Sequence, residues 1–69
     1  MKVTYDAEVD ILRILLSDAQ IEESDEDKPG VIIDYDANGH VVGLEILDAS
    51  RSVVNPRGVD YSVVGLQPA

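Results

Sequence analysis

Asp34, Asp36, Asn38 and Glu45, with Gly39 between them, stand at the spacing D-x-[DN]-x-[DN]-G-x5-E of a calcium-binding loop, and Val41 supplies the apolar residue such loops carry near their centre. Calcium takes about six to eight oxygens, and an EF-hand gathers them by holding the loop between two helices. Here the flanks are Val31-Ile32-Ile33 and Ile46-Leu47, preceded by Pro29-Gly30. They read as strands, so the segment reads first as a hairpin whose Asn38-Gly39 turn takes positive φ. In that hairpin Asp34, Asp36 and Glu45 share a face, and Gly43 opposite Asp34 leaves space. The set Asp34, Asp36, Asn38 and Glu45 therefore stays a candidate for a weak divalent-cation (calcium) site.

Two further patterns carry chemical groups. Tyr5-Asp6 and Tyr35-Asp36 recur where a strand meets its turn. One reading is a recognition or acid/base pair, and an enzyme working through carboxylates and Tyr35 would use it. The other packs each Tyr at the sheet edge and lets each Asp accept a local backbone N–H, as turn aspartates do. The second pattern is the acidic run Glu22, Glu23, Asp25, Glu26 and Asp27. Such a run is a solvated loop or a surface for a basic partner. Catalysis finds little else: there is no cysteine, His40 is the single histidine and falls in a turn, and no serine elbow or phosphate-cradling glycine loop is present. We expect no enzyme and no cofactor.

The elements that would position these groups are mostly strands. Met1 to Tyr5 alternates, Ile11 to Leu16 is apolar except for Arg13 and reads as a strand with a helix as the alternative, and Val31 to Asp36 and Val41 to Leu47 are β-branched runs around Asn38-Gly39. With Asn38 and Gly39 as the loop, Tyr35 faces Val42, Ile33 faces Leu44 and Val31 faces Ile46. Ile32, Asp34, Asp36, Val41, Gly43 and Glu45 then take the other face. Asp18 to Lys28 reads as an exposed loop with Ile21 as an anchor. Shifting the chain by thirty positions overlays Val3-Thr4-Tyr5-Asp6-Ala7 on Ile33-Asp34-Tyr35-Asp36-Ala37, and Leu12, Ile14 and Leu16 on Val42, Leu44 and Ile46. The expected fold is α+β and mainly β: a four-stranded antiparallel meander of two equivalent hairpins, then a short helix capped by Asp48 or Ser50 and ended before Pro56. Residues 1–53 form the domain. Residues 54–69 are an extension in which Val59 to Leu66 is a fifth strand or a loose tail.

The block from Pro29 to Ser50, together with Tyr5-Asp6, Asp10, Leu12, Ile14 and Leu16-Ser17, resembles the uncharacterised bacterial family called domain of unknown function 2283 over about residues 1 to 53. The first hairpin departs from the pattern in having Arg13 where an aromatic is more usual. The resemblance implies a small β-rich domain with a short helix after the last strand, and it assigns no activity and no site residues. It also implies a second small protein as neighbour, which an acidic chain would neutralise as antitoxins do.

Composition narrows the function further. The 69 residues carry 14 acidic and 5 basic side chains, a net charge of −9, and 45 % hydrophobic residues, too many for a disordered acidic tail. Clustered Lys and Arg are lacking, which disfavours nucleic acid and anionic membranes. The first twenty residues hold Asp6, Glu8 and Asp10 and read as neither signal peptide nor membrane span, so the cytoplasm is the expected compartment. A core this small gains little over its ordering entropy, and Ile11, Leu15, Ile32, Val41, Val53 and Val54 would face outward, so a homodimer is expected. The sequence therefore reads as a small, acidic, non-enzymatic protein-binding or regulatory module that meets a basic partner through Glu22, Glu23, Asp25, Glu26 and Asp27.

Overall fold

The computed structural model describes residues 1–66. Five strands, β1 (Lys2–Asp6), β2 (Ile11–Leu15), β3 (Glu23–Lys28), β4 (Val31–Tyr35) and β5 (Val41–Leu47), precede one four-residue helix, α1 (Ala49–Ser52). They form one antiparallel sheet in the order β1-β2-β5-β4-β3. This corrects the four-stranded meander in two ways. The acidic segment expected as a loop supplies a fifth strand, β3, and β2 pairs with β5 rather than with β4. The second correction follows from the first. Once Pro29-Gly30 turns β3 back onto β4, and the Asn38-Gly39 turn pairs β4 with β5, β4 has no free edge, and the first hairpin joins beyond β5. The connection from β2 to β3 crosses the far ends of β5 and β4, where the Leu16 amide donates to the Val42 carbonyl at 2.7 Å and the Glu22 amide to the Tyr35 carbonyl at 2.8 Å.

The expected register of the second hairpin holds at Val31 opposite Ile46 and Ile33 opposite Leu44. A bulge between Asp34 and Tyr35 then moves Tyr35 from Val42 to Val41. The thirty-residue repeat takes physical form where β2 meets β5. Ile14 lies directly opposite Leu44, its own counterpart in the repeat, and Leu12 lies opposite Ile46. The row Val3, Ile14, Leu44, Ile33 thus reads the same from either end, and the two hairpins are related by an approximate twofold axis through its centre.

Directly paired residues share a face of a sheet and successive residues alternate. One face therefore carries Val3, Tyr5, Leu12, Ile14, Leu44, Ile46, Val31, Ile33 and Tyr35, and we call it the apolar face. The other carries Thr4, Arg13, Glu45, Ile32 and Glu26 in one row and Lys2, Leu15, Gly43, Asp34 and Ser24 in the next. Only Leu12, Val42 and Ala49 are buried among the described apolar residues, and most of the apolar face is half-buried. The sheet is a single layer.

Helix α1 follows Leu47 with Asp48 as its N-cap residue, as expected, but the capping bond comes from elsewhere. Asp48 occupies the N-cap position in the left-handed region at φ 51° and makes no side-chain cap bond. The cap comes instead from the turn between β1 and β2. The Asp10 carboxylate accepts the Ser50 amide at 2.9 Å and the Ser50 hydroxyl at 2.6 Å, and its backbone carbonyl accepts the Ala49 amide at 3.0 Å. Residues 53–66 contain no strand, so the alternative that Val59 to Leu66 forms one is closed for the described residues, and the end of the extension lies outside them. Arg57 rests over the Tyr5 ring at 5.9 Å from its centroid.

Candidate functional site

The acidic run becomes the outer edge of the sheet. Glu23 pairs with Tyr35, Ser24 with Asp34, Asp25 with Ile33 and Glu26 with Ile32, and Asp27 is the extra residue of a bulge before Lys28 meets Val31. All six residues of β3 are exposed. One backbone edge of β3 bonds β4, and the other faces no strand among the described residues. Glu23 and Asp25 therefore stand at the rim of the apolar face. Glu26 closes its own turn, accepting the Gly30 amide at 3.0 Å. Glu22 precedes the strand, its backbone tied to Tyr35. An exposed edge strand is a template for strand addition. Its carboxylates repel an acidic strand and attract a basic one.

The candidate cation ligands are divided. Asp34 and Glu45 come together on the polar face, where Asp34 is 1 % exposed and accepts the Ser24 hydroxyl at 2.6 Å on Oδ1. Its Oδ2 has no donor. Glu45 sits beside it with Arg13 as its direct cross-strand neighbour on β2. Burial, and then the neighbouring Asp34 charge, hold the Glu45 carboxyl above the usual carboxylate range, while Arg13 opposes the shift. A protonated Glu45 can donate to Asp34, which gives the orphan oxygen a partner.

Asp36 does other work. Its Oδ1 accepts the Asn38 and His40 amides, each at 2.9 Å, and its Oδ2 lies 3.5 Å from the His40 imidazole. The His40 amide, first, and the Asn38 amide hold its carboxyl below the ordinary range. Asn38 is exposed in the same turn. Among the described residues no three His, Cys, Asp or Glu side chains converge as metal ligands do. Asp6 repeats the arrangement in the first hairpin by accepting the Glu8 amide at 3.0 Å. Both Tyr-Asp pairs thus use their Asp for the turn, at positions thirty residues apart.

One cluster escapes sequence reasoning. The Tyr5 hydroxyl donates to Asp10 Oδ1 at 2.7 Å, so Asp10 joins Tyr5 and Ser50 across forty residues of chain. The Ser50 hydroxyl, first, and Tyr5 hold the Asp10 carboxyl down, and Asp10 in turn holds the Tyr5 phenol up. A serine, an aspartate and a tyrosine in line resemble a catalytic relay. Here both serine donors are spent on capping α1. Two open depressions lie elsewhere, one lined by Met1, Lys2 and Leu15 to Asp18, the other by Glu22, Glu23, Asp36, Ala37 and Gly39, and neither includes the Asp34 and Glu45 pair.

Fold and site define a small antiparallel-sheet domain with an acidic edge. The chain belongs to the family described as protein of unknown function DUF2283, which it matches over residues 2–50. It is also 41 % identical over 51 residues to an uncharacterized protein of Methanocaldococcus jannaschii. That match covers 74 % of this chain and 43 % of the relative, so the chain spans under half the length of the relative. No solved structure matches. Among the described residues no helix is long and apolar enough to cross a membrane.

Proposed function

We propose that this chain is a non-enzymatic protein-binding module whose contact is the acidic edge strand β3, with Glu22, Glu23, Asp25, Glu26 and Asp27 facing a basic strand of its partner. The observation that carries this reading is the placement of five carboxylates on or beside an exposed strand with a free backbone edge. Backbone hydrogen bonds then supply the register, and charge supplies the choice of partner and a fast, salt-sensitive association. An antitoxin-like role, in which the acidic edge masks a basic protein, is the specific form we infer.

A synthetic strand of alternating lysine and valine tests the chemistry. Amide NMR is expected to show shifts and new exchange protection along residues 23–28, lost when Glu22, Glu23, Asp25, Glu26 and Asp27 are all made Gln or Asn. The same variant keeps or raises its thermal midpoint, because self-repulsion falls. Shifts that survive neutralisation, or none along β3 at millimolar peptide, would sink the reading.

A further inference from the structure

We infer that the outer edge of β1 pairs antiparallel with β1 of a second copy of this chain, centred on Thr4, so that the two sheets continue as one across a twofold axis. The repeat points to that edge. Shifting the chain by thirty residues lays β1 on β4 and β2 on β5, and the approximate twofold axis of the sheet relates the same strands in space. In the second half the outer edge of β4 is filled, because β3 lies antiparallel along it. In the first half the equivalent edge of β1 is open. β1 bonds β2 on one side, and no other strand or loop backbone bonds it among the described residues. Its pairing with β2 is continuous from Lys2 to Asp6, with no bulge and no proline, so this edge lacks two of the devices that keep a second strand away.

Charge identifies the occupant. An antiparallel pair about Thr4 sets Lys2 opposite Asp6 of the partner subunit, Val3 opposite Tyr5 of the partner subunit, and Thr4 opposite its own copy. Each charge meets its opposite, twice by symmetry, and a β-branched and an aromatic side chain meet on the apolar face. Lys2 makes no ion pair among the described residues, and Asp6 uses Oδ1 for the Glu8 amide and has Oδ2 left. Other occupants fit worse. In a parallel pair β1 sets Lys2 beside Lys2 and Asp6 beside Asp6. Against an antiparallel β3, Lys2 opposite Asp27 or Glu26 puts Asp6 opposite Glu23 or Glu22, and Lys2 opposite Lys28 meets its own charge. The chain's own segment 53–66 contains no strand and bonds no backbone group of β1. The acidic strand β3 lies at the far edge of the sheet, so it stays free in the dimer and the two readings can fail separately.

Mixing two charge variants tests the pairing. Two five-residue strands meet over less than the ~800 Å² per partner of a standard interface, so a weak dimer is expected. Sedimentation equilibrium of the full chain should show twice the chain mass on approach to millimolar concentration. Isotope-filtered NOE spectra on mixed labelled and unlabelled protein should show the Val3 methyls against the Tyr5 ring of the partner subunit. Lys2→Glu and Asp6→Lys each place two like-charged pairs across the axis, so each alone is expected to weaken self-association roughly tenfold. Mixed in equal amounts, the two variants should associate as heterodimers at about the strength of the unaltered chain, because every like pair becomes an opposite one. If Asp6→Lys does not fold, since Asp6 also holds its turn, Lys2→Glu and the NOE spectra of the unaltered chain still decide. A monomer at millimolar concentration overturns the proposal. So does a mixture no tighter than either variant alone, or a set of intermolecular NOEs that falls on β3, on Ile14 and Leu44, or on residues 53–66 without Val3 and Tyr5.

Discussion

On one face of the sheet the central strands put Leu12, Ile14, Leu44 and Ile46 side by side with no charge between them, whereas the opposite face sets Arg13 against Glu45 and Asp34 against Gly43. The apolar face is large but only half-buried, and it buries Leu12 to 8 % exposure at its centre. The opposite face has fewer apolar groups, yet it buries a carboxyl, Asp34, more completely than almost any apolar side chain in the molecule. The difference teaches where each face gets its order. Area removed from water holds the first. The second depends on one missing side chain: a Cβ at position 43 would lie 3.3 Å from Leu15 Cδ2, so Leu15 spreads over the glycine beside Asp34.

The sharpest way to break this comparison is to remove the centre of the apolar face. Leu12→Ala is expected to cost about 2–3 kcal/mol, the lower part of the range for buried leucine, because a single-layer sheet can close partly over the gap. Urea unfolding with unchanged slope would read it.

Two glycines separate space from conformation. Gly43→Ala places a methyl 2.8 Å from the Ile14 carbonyl, a backbone atom that moves only if β2 and β5 part. A cost of about 1–3 kcal/mol is expected, with faster exchange of the amides joining β2 and β5. Gly39→Ala meets nothing within 4 Å but forces φ +81° on a residue with a Cβ, so about 1 kcal/mol is expected and the exchange change should stay within residues 36–40. Equal effects from both would mean that Gly43 is not a packing position.

These contrasts mark what the sequence makes legible. Four strands and the hairpin turn follow from alternation and from Asn38-Gly39, because burial of one face leaves a period of two in the residues. The strand β3 leaves no such trace. Glu-Ser-Asp-Glu-Asp-Lys is exposed on both faces, and its strand state is imposed by the Pro29-Gly30 turn and by the bonds of β4. The strand order was hidden for the same reason, since it depends on β4 having two neighbours. At the site, the nearness of Asp34 and Glu45 follows from register. The burial of Asp34 does not, because alternation puts it on the polar face and only the row Leu15, Gly43, Asp34, Ser24 shows what surrounds it. Asp10 shows no signal at all, since its partner Ser50 lies forty residues away and the capping geometry exists only after both hairpins are joined.

The smallest effect expected is also the one that tells the two carboxylate environments apart. Glu45 has its folded pKa raised, so its contribution to stability is full below the unfolded value of about 4.5 and is lost as pH rises through the folded value. Asp36 is lowered, so its contribution is present above its unfolded value near 3.8 and is lost as pH falls through the folded one. Above the folded value of Glu45 the unaltered chain therefore keeps the Asp36 contribution and has lost that of Glu45. Replacing Glu45 by Gln removes the burial cost of a second charge beside Asp34 and offers an amide N–H to the Oδ2 that lacks a donor. Glu45→Gln should thus raise the thermal midpoint at pH 7 and leave it unchanged near pH 4, where Glu45 is already protonated. Asp36→Asn should do the reverse, lowering the midpoint at pH 7 and converging with the parent chain under acid. If Glu45→Gln lowers the midpoint at pH 7 instead, the pairing of Glu45 with Arg13 outweighs its repulsion from Asp34, and the polar face is held by an ion pair rather than by a shared proton.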